Sequence, residues 1–249
     1  METIAIAEAG YRFIPAVMQY SGGVAALPGF RLERVRFAEP LPMAEGWRRI
    51  AAILDAAGRP RTAFAACELR SPAPFTEAGF ATFNAGYAAV LNDWGVLRDG
   101  RNPIARSNVC PRHAPPPEPC FHAFCFTVPD ADAAPSFAVA GSGEAAEGKG
   151  SYRDNTVAYG DTSPEGLLNK GIWVLGEMER RMGLLGHSWA GTTGVQAYTV
   201  HPLPPALAAG MAMRGVLRHG LTWQDCRPPV EGLDFEMDCR GIGLERVVA

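Results

Sequence analysis

Lysine is nearly absent from this chain: of 23 basic residues only Lys149 and Lys170 are lysines, and the rest are arginines. The arginines are scattered among 26 acidic residues, for a net charge of −3, so the basic footprint of a nucleic-acid binder is missing. No apolar run approaches the ~18 residues that a membrane-spanning helix needs. The start, Met1-Glu2-Thr3-Ile4, has neither a basic region nor a long apolar stretch, so no secretory signal is expected. None of the six cysteines forms a Cys-x-x-Cys pair, and in this context they are expected to be reduced. None of the five histidines makes a His-x-Glu or His-x-x-x-His pair, and Pro119-Cys120 is followed only by Cys125, too far along for a zinc deaminase signature. Neither common glycine-rich phosphate loop is present. These absences predict a soluble, cytoplasmic protein with no metal, no cofactor, no nucleic-acid partner and no membrane contact.

What is present is a pattern that occurs twice. Residues 11–20 read as a strand ending at Ser21-Gly22-Gly23, and residues 31–37 alternate polar and apolar like a strand with one wet face. Met43, Trp47, Ile50, Ile53, Leu54 and Ala57 then recur at helical spacing up to Gly58 and Pro60. A third strand runs from Thr62 to Arg70. Thr76 reads as the cap of a second helix with an aromatic stripe, Phe80, Phe83, Tyr87 and Trp94, taken as core packing, and Gly95 ends it. The stretch Asn102-Pro103-Ile104-Ala105-Arg106-Ser107-Asn108 leads into a closing strand over 120–128. After the proline-flanked connector 129–135 the order begins again. Strands are predicted at 137–140, 152–159 and 191–200, helices capped by Thr162 or Ser163 and over 204–217, then Cys226-Arg227-Pro228-Pro229 and a last strand at 233–242. A repeat of about 120 residues implies two duplicated domains rather than a solenoid, here 1–130 and 131–249.

Arginine where a loop becomes a strand suits a ligand carboxylate, because its planar fork donates two parallel hydrogen bonds. Arg106 and Arg227 hold that position in the two halves. The halves resemble the RidA (YjgF) family of imine and enamine deaminases. The resemblance rests on a strand ending in Ser-Gly, the Phe80, Asn84, Tyr87 spacing, and Pro103-Ile104-Ala105-Arg106-Ser107 followed by a closing strand. The runs Ala66–Thr76 and Arg106–Cys110 resemble its two-domain 2-amino(chloro)muconate deaminase branch. The resemblance implies an α+β fold of two tandem RidA/chorismate-mutase-like domains, each a mixed sheet backed by two helices. It also implies a homo-oligomer with clefts at trimer-type interfaces, and hydrolytic release of ammonia from a small enamine or imine carboxylate. On this chain it makes Arg106 and Arg227, with Ser107 and Asn108, the substrate-binding residues. The water-activating glutamate falls at Glu236 in the second half, with Asp238 beside it, but at Cys120 and His122 in the first. Turnover is therefore expected mainly in the second half, with Arg227 as carboxylate anchor and Glu236 as proton-transfer group.

Plainer readings stand beside these. Glu236 and Asp238 are two apart on a strand and point to one face, which a solvated surface would also explain. Glu68 and Arg70 read as a surface ion pair, and Cys120 with His122 as a buried, inert pair. A metabolite-binding module that does not turn its ligand over is the alternative to the deaminase.

Overall fold

The computed structural model describes residues 2–249. Its first half contains β1 (Ile4–Ile6), β2 (Tyr11–Phe13), β3 (Gly23–Ala26), β4 (Phe30–Pro42), α1 (Met43–Ala56), β5 (Phe64–Arg70), α2 (Glu77–Asp93), β6 (Ala105–Pro111) and β7 (Cys120–Pro129). The second contains β8 (Phe137–Gly143), α3 (Tyr152–Asn155), α4 (Pro164–Leu184), β9 (Gly194–Tyr198), α5 (Pro205–Met213), β10 (Thr222–Gln224), β11 (Cys226–Arg227), β12 (Glu236–Gly241) and β13 (Leu244–Val248).

The helices follow from local chemistry. In α1, Trp47, Ile50 and Leu54 fall on one face and are buried. Thr76 caps α2 by accepting from the Gly79 N–H at 3.1 Å, and Ser163 caps α4 by accepting from the Gly166 N–H at 3.1 Å, with Pro164 in the first turn where no N–H is needed. Beyond α1, α2 and α4 stand Gly58, Gly95 and Gly186, all with positive φ, the left-handed step that ends a helix without a Cβ clash.

Among the described residues thirteen strands form two mixed sheets, one ordered β11-β6-β5-β7-β4-β13 and the other β1-β2-β3-β8-β12-β9-β10. Within them β6-β5-β7-β4 and β10-β9-β12-β8 share both order and sense. The first pair of each is parallel, and the remaining pairs are antiparallel. The terminal strands cross over: β3 pairs with β8, and β13 pairs in parallel with β4. One apolar cluster gathers α1, α2 and the first sheet (Trp47, Leu54, Tyr87, Phe124), and another gathers α4, α5 and the second (Val174, Met178, Leu207, Phe235). Between the sheets lies a layer rich in small side chains, among them Ala65, Ala66, Ala105, Ala138 and Ala140. The layers are therefore helix, sheet, sheet, helix, with the two sheets in close contact.

Three expectations are corrected. The strand predicted over 11–20 stops at Phe13, where Pro15 can offer no N–H to a ladder. The strand predicted over 152–159 is instead the short helix α3 followed by a turn. Polar side chains there bond the local backbone instead: Ser151 accepts from the Asp154 N–H, and Asn155 Nδ2 donates to the Lys149 carbonyl at 2.9 Å. Glu68 and Arg70 are buried rather than a surface pair. Glu68 accepts two hydrogen bonds from Arg34, at 2.6 and 2.9 Å, and Arg70 donates to Gln224. Among the described residues no helix is long and apolar enough to cross a membrane, and all six cysteines are free and buried.

Candidate active site

Arg106, the second residue of β6, is buried. Its guanidinium lies 4.7 Å from the Tyr87 ring centre and 5.3 Å from that of Tyr20, with Phe80 and Phe83 each at 5.7 Å. Its Nη2 donates to Asn84 Oδ1 at 2.7 Å, while Nη1 is buried and has no partner among the described residues. A buried donor without an acceptor is costly, more so on a charged group, so Nη1 is built for an acceptor from outside. Asn108 repeats the motif: Ser71 Oγ donates to its Oδ1 at 2.9 Å, which leaves Nδ2 buried and unpartnered.

Across the same cleft stands Glu236, the first residue of β12 and fully buried. Its carboxyl rests on Gly141 of β8; a Cβ there would collide with Glu236 Oε1 and come within 3.1 Å of the Ser107 Cα. Glycine at 141 is what lets the carboxyl of one sheet reach the arginine strand of the other. Burial pushes the Glu236 carboxyl well above the usual glutamate range. Asp238 and Glu144 push in the same direction, and Arg181 and Arg106 only partly oppose them.

The backbone entering Glu236 is clamped from behind. Glu144 accepts from the N–H groups of Asp234 at 2.6 Å and Phe235 at 3.1 Å, and the fully buried Lys170 donates to Glu144 at 3.2 Å and to Asp234 at 2.6 Å. Asp238 is held on both oxygens, accepting from Ser107 Oγ at 2.6 Å, Tyr198 OH at 2.8 Å and Gln196 Nε2 at 3.0 Å. Burial raises its pKa, with Glu68 adding to the effect, despite the donors from Ser107 and Gln196. Through Ser107, Asp238 staples β12 to β6. Arg181 donates to the Ala140 carbonyl at 3.1 Å and to Glu147 at 2.8 Å; Glu147 in turn accepts from the Tyr20 hydroxyl at 2.9 Å, which fixes the cleft mouth.

The structure thus brings together Arg106, Ser107, Asn108, Glu236 and Asp238. It does not bring in Arg227, which lies exposed on β11 where that strand pairs with β6, outside the cleft that Glu236 lines. Within the chain it is Arg106 that shares a cleft with Glu236, because β6 of the first sheet lies against β8 of the second. Cys120 and His122 do not hydrogen-bond to each other; Cys120 Sγ contacts the Arg70 carbonyl at 3.5 Å, and burial with the nearby Arg70 charge lowers the His122 pKa to about 3. Among the described residues no three His, Cys, Asp or Glu side chains are grouped to hold a metal ion.

The family model for the 2-aminomuconate deaminase CnbZ matches residues 3–246. The chain belongs to that family. A 2-amino-5-chloromuconate deaminase from Comamonas testosteroni is 48% identical over 249 residues, covering 99% of each chain. The α+β resemblance drawn from the arginine motif therefore leads to the family it pointed to. What the sequence left unread were the cleft residues Tyr20, Tyr152 and Gly141. The Arg106 box was legible in one respect: Asn84, a polar residue, sits inside an aromatic stripe on α2, and a stripe serving only a core has no use for it.

Proposed function

We propose that this protein is a cofactor-free hydrolytic deaminase acting on a 2-aminomuconate-like enamine or imine carboxylate, with one active site built from both halves. The observation that carries the reading is a buried, unpartnered Arg106 Nη1 in the same cleft as a Glu236 carboxyl that has no countercharge of its own. Arg106 anchors the carboxylate next to the amino-bearing carbon, and Asn108 donates to an adjacent oxygen. Glu236, held neutral by burial, first acts as an acid and assists conversion of the enamine to the imine by giving a proton to carbon. As a carboxylate it then takes a proton from the water that attacks the imine carbon. That proton passes to nitrogen and Glu236 takes the hydroxyl proton as the carbinolamine collapses, so that a 2-oxo acid and ammonia leave and the carboxyl is neutral again. Ser107 and Asp238 hold the two strands in register through this sequence and do not touch the substrate.

The doubled strand order supports two RidA-like domains, 1–130 and 131–249, with terminal strands exchanged between the sheets. A trimer-type homo-oligomer and a cytoplasmic location complete the reading. The test is ammonia release from 2-aminomuconate by the purified wild type and by Glu236→Gln. Turnover by the wild type that Glu236→Gln loses supports the assignment, whereas ligand binding without ammonia release by the wild type would make the protein a binding module.

A further inference from the structure

The two halves differ most just after their first core strand. In the first half α1 begins directly where β4 ends, whereas residues 144–163 separate β8 from α4 in the second. This segment folds over the cleft. Its backbone is tied internally by the Val157 N–H to the Glu144 carbonyl at 2.8 Å and by Thr156 Oγ1 to the Tyr152 carbonyl at 2.7 Å. It is tied to the first half by the Tyr152 N–H, which donates to Glu77 on α2 at 2.7 Å. The Tyr152 ring packs with the cluster of Phe80, Val230 and Leu233, and Tyr152 lines the cleft together with Arg106 and Glu236. Among the described residues its hydroxyl has no hydrogen-bond partner.

We propose that Tyr152 binds the second carboxylate of a dicarboxylate substrate, the one remote from the amino-bearing carbon. This rests on the proposed function above. An aminomuconate-type substrate is a rigid, conjugated chain with a carboxylate at each end, and Arg106 accounts for one of them. The other must be met by donors that add no charge, because a second cation in the cleft would pull the Glu236 pKa down and leave it ionised at the start. A phenol satisfies both demands. Burial, with the Glu147 charge adding to it, pushes the Tyr152 hydroxyl up to about 12, so at neutral pH it is a donor. The ring's packing and the backbone ties fix that donor in advance, which lowers the cost of ordering it on binding.

The probes are muconate (hexa-2,4-dienedioate) and sorbate (hexa-2,4-dienoate), stable conjugated acids with two carboxylates and one. Calorimetric titration of wild type and Tyr152→Phe should show muconate binding about 10- to 100-fold weaker in the variant, with sorbate binding unchanged. A thermal melt of Tyr152→Phe, expected to match the wild type, checks that the platform is intact. Equal losses for both ligands, no loss for either, or a wild type that binds muconate no more tightly than sorbate would each overturn the proposal. Because the titration needs no turnover, a wild type that binds muconate selectively but releases no ammonia from 2-aminomuconate would refute the deaminase reading and leave the Tyr152 assignment to be judged on its own.

Discussion

The closing strands β7 and β12 occupy the same place in their sheets, yet they handle charge in opposite ways. In the first sheet the buried carboxylate beside the closing strand is Glu68. Burial alone would raise its pKa, but the Arg34 charge and two hydrogen bonds outweigh that and hold it well below the usual glutamate range. In the second sheet Glu236 has no guanidinium bonded to it, and burial wins. A paired buried carboxylate is held ionised; an unpaired one keeps its proton to higher pH than an ordinary glutamate. The position that holds Glu236 in one half is Cys120 in the other, where Arg70 is its cross-strand neighbour. The two sheets share one strand order, and their packing brings Arg106 of one half into the same cleft as Glu236 of the other.

The sharpest way to break this comparison is to remove the unpaired carboxyl. Glu236→Gln keeps the shape of the side chain and its seat on Gly141, so substrate binding should persist while turnover falls by roughly 10²–10⁴-fold. Steady-state ammonia release with a parallel binding titration separates the two quantities. A variant that turns over normally would remove Glu236 from the chemistry.

The two carboxyls should also affect stability with opposite signs. The unfolded glutamate pKa is about 4.3. Glu236, raised in the folded state, costs stability as pH climbs above that value toward its folded pKa, so Glu236→Gln should raise the unfolding midpoint at pH 8, with little change near pH 4. Glu68, depressed in the folded state, adds stability above the unfolded pKa that is lost as pH falls through its folded value. Glu68→Gln should therefore cost about 3–5 kcal/mol at pH 8, as expected for breaking a buried ion pair, and progressively less in acid. Thermal melts of both variants from about pH 2.5 to 8 check these opposite trends; midpoints that shift in the same direction at pH 8 would refute the contrast.

These contrasts also mark what the sequence could and could not disclose. Arg106, Ser107, Asn108, Glu236 and Asp238 were legible because a strand-entry arginine and an i, i+2 carboxyl pair are local patterns. Their assembly was not. Which arginine meets which glutamate depends on how the two sheets face one another across a layer of alanines and on a glycine at 141, and strand periodicity carries no such information. Tyr152 was hidden for a different reason: the strand expected over 152–159 gives way to a turn, because Ser151, Asn155 and Thr156 spend their side chains on nearby backbone groups.

Arg106→Lys sharpens the comparison from the other side of the cleft. Lysine keeps the charge but loses the fork, the bond to Asn84 and the flat stacking surface among four aromatic rings. Losing one charge-assisted bond to the substrate should lower kcat/KM about 10- to 100-fold, mostly through KM because the anchor acts on ground state and transition state alike. A fall in kcat with KM unchanged would mean that the guanidinium acts on the reacting atoms rather than as an anchor.

The smallest expected effect falls on the arginine that the repeat alone would have chosen. Arg227 lies exposed at the two-residue strand β11, and Pro228 and Pro229 follow it where Ser107 and Asn108 follow Arg106. Neither proline can offer an N–H, and neither provides the hydroxyl that staples β6 to Asp238 or the amide that Ser71 aims into the cleft. The guanidinium of Arg227 therefore has none of the surroundings that make Arg106 a site residue. Arg227→Lys should leave kcat/KM within about twofold and the unfolding free energy within the narrow range of surface substitutions, about 0.5 kcal/mol. The informative measurement is Arg227→Lys beside Arg106→Lys in one preparation, assayed on the same substrate. A loss at Arg227 as large as that at Arg106 would mean that the second arginine completes another cleft with a neighbouring copy of the chain, and the single shared site argued from Arg106 and Glu236 would have to become two.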